Sequence, residues 1–151
     1  MDFKKAYNRA SSLCARREYC SGDIHRKLYD WKVDKAIADK VVAKLIEEQF
    51  VDDLRFAKFY VRDKSKFNRW GKDKIVWQLR MKKVDQAIID EAVEELNDDE
   101  MLEILTQLLI EKNRTIKEPD SYKRKASIIR FAAGRGFSFD QINEVLEKIL
   151  E

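Results

Sequence analysis

The segment KVDKAIADKVVAKL at residues 32–45 returns as KVDQAIIDEAVEEL at residues 83–96, identical at eight of fourteen positions with no gap. A chain that repeats an amphipathic stretch at the same spacing must fold that part of its length twice, because the same apolar positions demand the same kind of partner. Extending the match backward pairs Ile24 with Ile75 and Leu28 with Leu79. A fainter third copy lies a further 53 residues on, where Ile128, Ala132, Phe137, Ile142, Val145 and Ile149 take the places of Ile75, Leu79, Val84, Ile89, Ala92 and Leu96.

The shared positions fall three or four apart, which is one face of a helix. Each unit therefore reads as two helices joined by a short turn. The first helix of each pair covers about 22–30, 72–82 and 122–134, and the second opens at Asp34, Asp85 or Ser138, residues whose side-chain oxygens can cap free amides. Gly136 sits in the turn of the third unit, where a left-handed residue would end the preceding helix. Lys32 and Lys83 occupy the equivalent places, and in a left-handed turn each would cost about 1 kcal/mol relative to glycine.

A further apolar periodicity precedes each pair, at Phe3, Ala6, Tyr7, Ala10 and Leu13, at Phe56, Phe59, Tyr60 and Phe67, and at Leu102, Leu105, Leu108 and Leu109. Each unit is then three helices. With four Gly, one Pro and 39% charged residues, the chain has few sharp turns and favours helix throughout. The expected fold is all-α: three tandem three-helix repeats, residues 1–50, 51–98 and 99–151, stacked into an elongated, curved array. A compact nine-helix globule whose repeats are only ancestral is the blander alternative.

The start carries charge throughout and lacks the apolar core of a signal peptide, and no stretch has the run of apolar residues that a spanning helix needs. A soluble, cytoplasmic protein is expected. Cys14 and Cys20, six apart, fit neither a CxxC pair nor paired zinc spacings, so both should be thiols, with Cys14 in a core.

Net charge is only +3, but the charge is segregated. From Lys58 to Lys83 there are ten Lys/Arg against two Asp; from Val84 to Glu111 there are ten acidic residues and no basic one; from Lys112 to Arg135 eight basic residues face two acidic. Such segregation matters more than the sum when the partner is a polyanion.

The candidate polyanion-binding residues are Arg16, Arg17, Arg26 and Lys27 in the first unit, Lys64, Lys66, Arg69, Lys72, Lys74, Arg80, Lys82 and Lys83 in the second, and Lys123, Arg124, Lys125 and Arg130 in the third, with Arg62 and Arg135 in the same basic groups. Lysines neutralise phosphates, arginines can bridge two oxygens, and exposed aromatics can stack on bases. Phe67, Trp70 and Trp77 are interleaved with them; Trp77, between Ile75 and Leu79, reads as core, and Trp70 is divided between core and stacking. Each basic group taken singly reads equally as solvated surface. The acidic run at 90–103 reads as a solubilising helix surface, as a shield against DNA, or as a contact for a basic protein.

Catalysis has little material. His25 is the lone histidine, and GKDK lacks the glycine-rich cradle that phosphate binding by backbone amides requires. Asp52 with Asp53, or Asp98 with Asp99, could ligate magnesium, but such pairs more often begin helices. Neither enzyme activity nor a metal or other cofactor is expected.

The stretch QFVDDLRFAKFYVRDK at 49–64, with Phe50, Asp52, Asp53, Arg55, Phe56, Ala57 and Tyr60, resembles the signature of the bacterial regulatory protein RecX family. LCARREYCSGDIHRKL at 13–28 resembles that family's opening segment, and WGKDKIVWQL at 70–79 its Gly-Lys motif. The likeness runs from about Ala10 to Leu150 and departs at Lys32 and Lys83, where the family commonly has glycine. The resemblance implies three tandem three-helix repeats and assigns the signature residues a structural role. It implies a modulator of the RecA recombinase that binds RecA and its filament on single-stranded DNA, with weaker affinity for duplex, and inhibits ATP hydrolysis and strand exchange. A monomer is expected. The alternatives from the residues alone are a helix-turn-helix DNA-binding regulator and a helical-repeat protein adaptor.

Overall fold

The computed structural model describes residues 1–150. Among them every regular element is helical: α1 (Phe3–Cys14), α2 (Ser21–Asp30), α3 (Lys35–Glu47), α4 (Asp53–Lys66), α5 (Lys72–Met81), α6 (Gln86–Val93), α7 (Asp98–Thr115), α8 (Ser121–Gly134) and α9 (Phe139–Ile149). The repeat predicts these elements, three sets of three in chain order.

The chain packs as two compact units, one of residues 1–59 with 79–92 and the other of residues 60–78 with the chain from Val93 onward. The core of the first unit gathers Ala6 and Ala10 of α1, Ile24 and Leu28 of α2, and Val41, Val42 and Leu45 of α3. That of the second gathers Leu105 and Leu109 of α7, Ile128 and Ala132 of α8, and Ile142, Val145 and Leu146 of α9. Within each set the residues recur three or four apart or sit side by side on the helix, so one apolar stripe per helix is removed from water.

The turns repeat as well. Lys32 and Lys83 are left-handed, with φ of 61° and 65°, as is Gly136 at 97°. After α2 the Lys32 amide donates to the Tyr29 carbonyl at 2.9 Å and the Val33 amide to Leu28 at 3.0 Å. After α5 Lys83 and Val84 donate to Arg80 and Leu79, and after α8 Gly136 and Phe137 donate to Ala133 and Ala132. This paired ending satisfies two otherwise orphaned carbonyls and buries the residue after the left-handed one, here Val33, Val84 or Phe137. Gln49, at φ 65°, ends α3 with the same pair of backbone bonds, but the Phe50 that follows it stays at the surface.

Helix starts are capped by several routes. Asp2, Asn97 and Asp120 accept from the amides of Lys5, Glu100 and Lys123, and Ser138 forms a reciprocal box with Gln141. Asp34 stands at the start of α3 but its side chain accepts no capping bond, a departure from expectation. The acidic run is partly explained at α7, where Asp98, Asp99 and Glu100 fill the first turn and Lys112 and Arg114 the last, each opposing the helix dipole.

Two close approaches position the second helix of a set. Within the first unit, a Cβ on Gly22 of α2 would lie 2.0 Å from the Lys82 carbonyl oxygen. Within the second unit, the Gly71 amide donates to the Arg135 carbonyl at 2.7 Å and the Asp73 amide to Gly136 at 3.1 Å. The turn ending the later helix thus seats on the start of the earlier one, by backbone contact that leaves no room for a side chain.

Candidate polyanion-binding surface

Most of the signature residues make their contacts within this fold. Asp52 caps its own helix, accepting from the Arg55 amide at 3.0 Å. Asp53 reaches back to α2, its two oxygens accepting from the Ser21 amide at 2.7 Å and hydroxyl at 2.6 Å. Arg55 forks onto Glu18 at 3.0 and 3.1 Å and onto the Gln49 and Phe50 carbonyls at the end of α3. Phe56, Ala57 and Tyr60 are buried, while Phe50 sits at the surface. Asp52 and Asp53 are therefore engaged as amide acceptors, and among the described residues no group of three His, Cys, Asp or Glu could hold a metal.

In the first unit Arg17 and Lys27 converge on the buried ring of Tyr19, at 4.5 and 5.5 Å from its centroid. Arg16 and Arg26 are exposed beside them in sequence. Such stacking holds cationic groups over an aromatic face without neutralising them. Arg80 is exposed, its Nε donating to Gln86 at 2.8 Å, and Lys83 is exposed on its left-handed turn. Lys82 differs from both. Its ammonium lies 2.9 Å from Asp23 Oδ1 and 5.7 Å over the Phe56 ring, so its charge serves the interior of the unit.

In the second unit Lys64 and Lys74 both lie over Trp70, at 5.4 and 4.7 Å, and Tyr60 meets the same indole edge-on at 6.4 Å. Trp70 is half-buried and organises lysines from two helices. Lys66 and Lys72 are exposed, whereas Arg69 is tied to Glu111 at 2.8 Å. On α8, Lys123, Lys125 and Arg130 are exposed. Arg124 is not: its guanidinium binds Asn113 Oδ1 and the carbonyls of Asn113, Ile116 and Glu118, closing the end of α7.

Trp77 corrects an expectation. It is 55% exposed rather than core, because Ile75 and Leu79 share the buried face of α5 and the residue midway between them points the other way. Phe67 is 81% exposed. Lys112, not singled out in the sequence, lies 4.7 Å over Phe131, with Arg135 on the same ring at 5.2 Å. Its only sequence signal is the turn to basic residues at the end of α7.

Both cysteines are free thiols, and the buried one is Cys20 rather than Cys14. Burial is the main cause that pushes the Cys20 thiol up to about 12 and that raises Cys14 as well. No helix among the described residues is long and apolar enough to cross a membrane.

This architecture is that of a tandem three-helix repeat protein with cations displayed over aromatic rings. Models of the first, second and third three-helix domains of RecX match residues 6–45, 52–93 and 98–146 in that order. The Regulatory protein RecX of Chlorobium phaeobacteroides is 33% identical over 148 residues, covering 98% of this chain and 95% of that protein. That of Clostridium acetobutylicum is 31% identical, with 95% and 68% covered. For the RecX of Leuconostoc mesenteroides identity is 27% over 97% of this chain, which spans only 55% of that longer relative. The crystal structure of RecX from Lactobacillus salivarius shares the fold, with a TM-score of 0.84 over 98% of this chain and 96% of that one at 21% identity. The chain belongs to the RecX family.

Proposed function

We propose that this chain is a cytoplasmic regulator of the RecA recombinase, which as a monomer binds RecA and its filament on single-stranded DNA and inhibits ATP hydrolysis, strand exchange and the recombination and SOS activity of the filament. The observation that carries this reading is the unbroken succession of three RecX domains along the chain. The functional repeats are residues 1–50, 51–98 and 99–151. The display of Arg17 and Lys27 over Tyr19 supports contact with a phosphate backbone, since stacking leaves their charge unneutralised. Lys64 and Lys74 over Trp70 add to it in part, because Lys64 also lies 3.7 Å from Asp63 and Lys74 donates to the Gly134 carbonyl. By bridging turns of the filament the protein opposes the subunit rearrangement that hydrolysis and strand exchange require.

The test is ATP hydrolysis by RecA preassembled on single-stranded DNA, with this protein added afterwards at substoichiometric ratios. Loss of rate at ratios too low to mask the DNA is expected. The double variant Arg80→Glu/Lys83→Glu, which spares the internal Lys82–Asp23 pair, should weaken inhibition with helicity unchanged. An unchanged rate above one protein per RecA subunit would overturn the reading. Discrimination among duplex sequences by several kcal/mol would then identify a helix-turn-helix regulator.

A further inference from the structure

The groove between α4 and α7 has banks of opposite charge. Arg62 and Lys66 of α4, with Arg69 just beyond it, line one side at spacings that share a helix face. Glu100 and Glu103 of α7, with Glu95 just before it, line the other. Between the banks lies a space of about 740 Å³ whose apolar floor is offered by the half-buried Leu96 and Ile104, next to the buried Val61 and Met101. All of these residues belong to the second compact unit.

The banks do not simply neutralise each other. Arg62 lies 4.0 Å from Glu95, and Arg69 is held by Glu111 outside the groove lining, but Lys66, Glu100 and Glu103 form no ion pair among the described residues. The helix dipole accounts for acidic residues in the first turn of α7, whereas Glu103 lies beyond that turn.

We propose that this groove docks an amphipathic α-helix of a protein partner, whose apolar stripe covers the floor while an acidic flank faces α4 and a basic flank faces α7. Charge decides the occupant. A nucleic-acid strand carries one sign of charge and would be repelled along the whole α7 bank. A purely apolar segment would leave Lys66 and Glu103 desolvated without partners. A helix with opposite signs on its two flanks answers both banks, and seating one helix between two others is a recurrent recognition mode read through anchors three and four residues apart. The inference moves Lys66 and Arg69 from the proposed DNA-contacting set to a protein contact, and it stands whether or not RecA is that protein.

The experiment uses the full chain and three synthetic helical peptides of equal length with one leucine stripe: one with a glutamate flank and a lysine flank, one with glutamate on both flanks, one with lysine on both. Fluorescence anisotropy should show the mixed peptide binding about tenfold tighter than either uniform peptide. The amide resonances of Ser65, Ile104 and Gln107 should shift on its addition. In the variant Glu100→Lys/Glu103→Lys both banks become basic, and preference should pass to the all-glutamate peptide with helicity retained. In Lys66→Glu the all-lysine peptide should gain. Equal binding of the three peptides, a ranking untouched by these variants, or shifts confined to other helices would overturn the proposal. Displacement of the mixed peptide by oligo-dT would make the groove a nucleic-acid site, and a dimer of this chain dissolved by the peptide would make it the seat of a second copy; either result overturns it too. An unchanged RecA hydrolysis rate would remove the proposed function and leave the peptide ranking intact, so the two failures are distinguishable.

Discussion

Gly71 and Gly136 meet backbone to backbone: a Cβ on Gly71 would lie 2.4 Å from the Gly136 carbonyl oxygen. Neither the carbonyl nor the start of α5 can yield without breaking the bonds from the Gly71 and Asp73 amides. Gly71→Ala and Gly22→Ala should each destabilise by about 1–3 kcal/mol in urea titrations. Gly134→Ala, whose Cβ would meet nothing within 4 Å, should be neutral or stabilising by up to about 1 kcal/mol. Equal midpoints for all three variants would contradict the close approach.

The left-handed lysines invite the opposite substitution. Lys32→Gly relieves the contact of Cβ with the backbone at φ 61° and should raise stability by about 1 kcal/mol. Gly136→Ala should lower it, since its φ of 97° disfavours any side chain and its Cβ would lie 2.4 Å from Lys74 Cβ. Thermal melts of the two variants should move in opposite directions.

Asp53→Ala removes both acceptors from Ser21 and should cost about 1–2 kcal/mol. Asp53→Asn keeps one acceptor and should retain part of that. Hydrogen exchange localises the effect: the first-turn amides of α2 should lose protection before those of α3.

The Cys20 thiol, buried and pushed up to about 12, is neutral in the folded chain well above the pH at which the unfolded thiol ionises. Because the folded value is raised, its contribution to stability is complete below the unfolded value of 9.0 and is lost as pH rises from there toward about 12. Cys20→Ser should flatten the alkaline end of the stability profile. In native protein at pH 8 a disulfide reagent should label Cys14 first and Cys20 only as fast as the unit opens.

Arg124 separates a structural cation from a surface one. Arg124→Met leaves the carbonyls of Asn113, Ile116 and Glu118 without their donor and should destabilise by about 1–3 kcal/mol. Lys123→Met and Lys125→Met, both exposed, should leave the melt unchanged and reduce the salt slope of DNA binding.

Helices were legible because their buried positions recur locally, at three and four residues, and because the repeat supplies independent readings of the same pattern. The left-handed turns at Lys32 and Lys83 were legible only through their alignment with Gly136, since a lysine by itself signals nothing of the kind. For Trp77 the apolarity of its neighbours suggests core, whereas their phase on α5 turns it outward. What local pattern cannot contain is the partner across the fold. Lys82 finds Asp23 59 residues away, Arg69 finds Glu111 at 42, and Arg124 turns inward to the end of α7. Each of these cations looks in sequence like its exposed neighbours, and only packing tells them apart.

The seating of a later turn on an earlier helix start bears on how such a chain could arise. A solitary three-helix domain would leave the start of its middle helix with amides facing water. A duplicate appended after it brings acceptors to that place: Asp53 for Ser21, and in the next pair the Arg135 and Gly136 carbonyls for Gly71 and Asp73. Gene duplication is then immediately rewarded in folding free energy, before either copy has diverged toward any task. At these seams the glycines and short acceptors admit no bulkier residue without loss of the join.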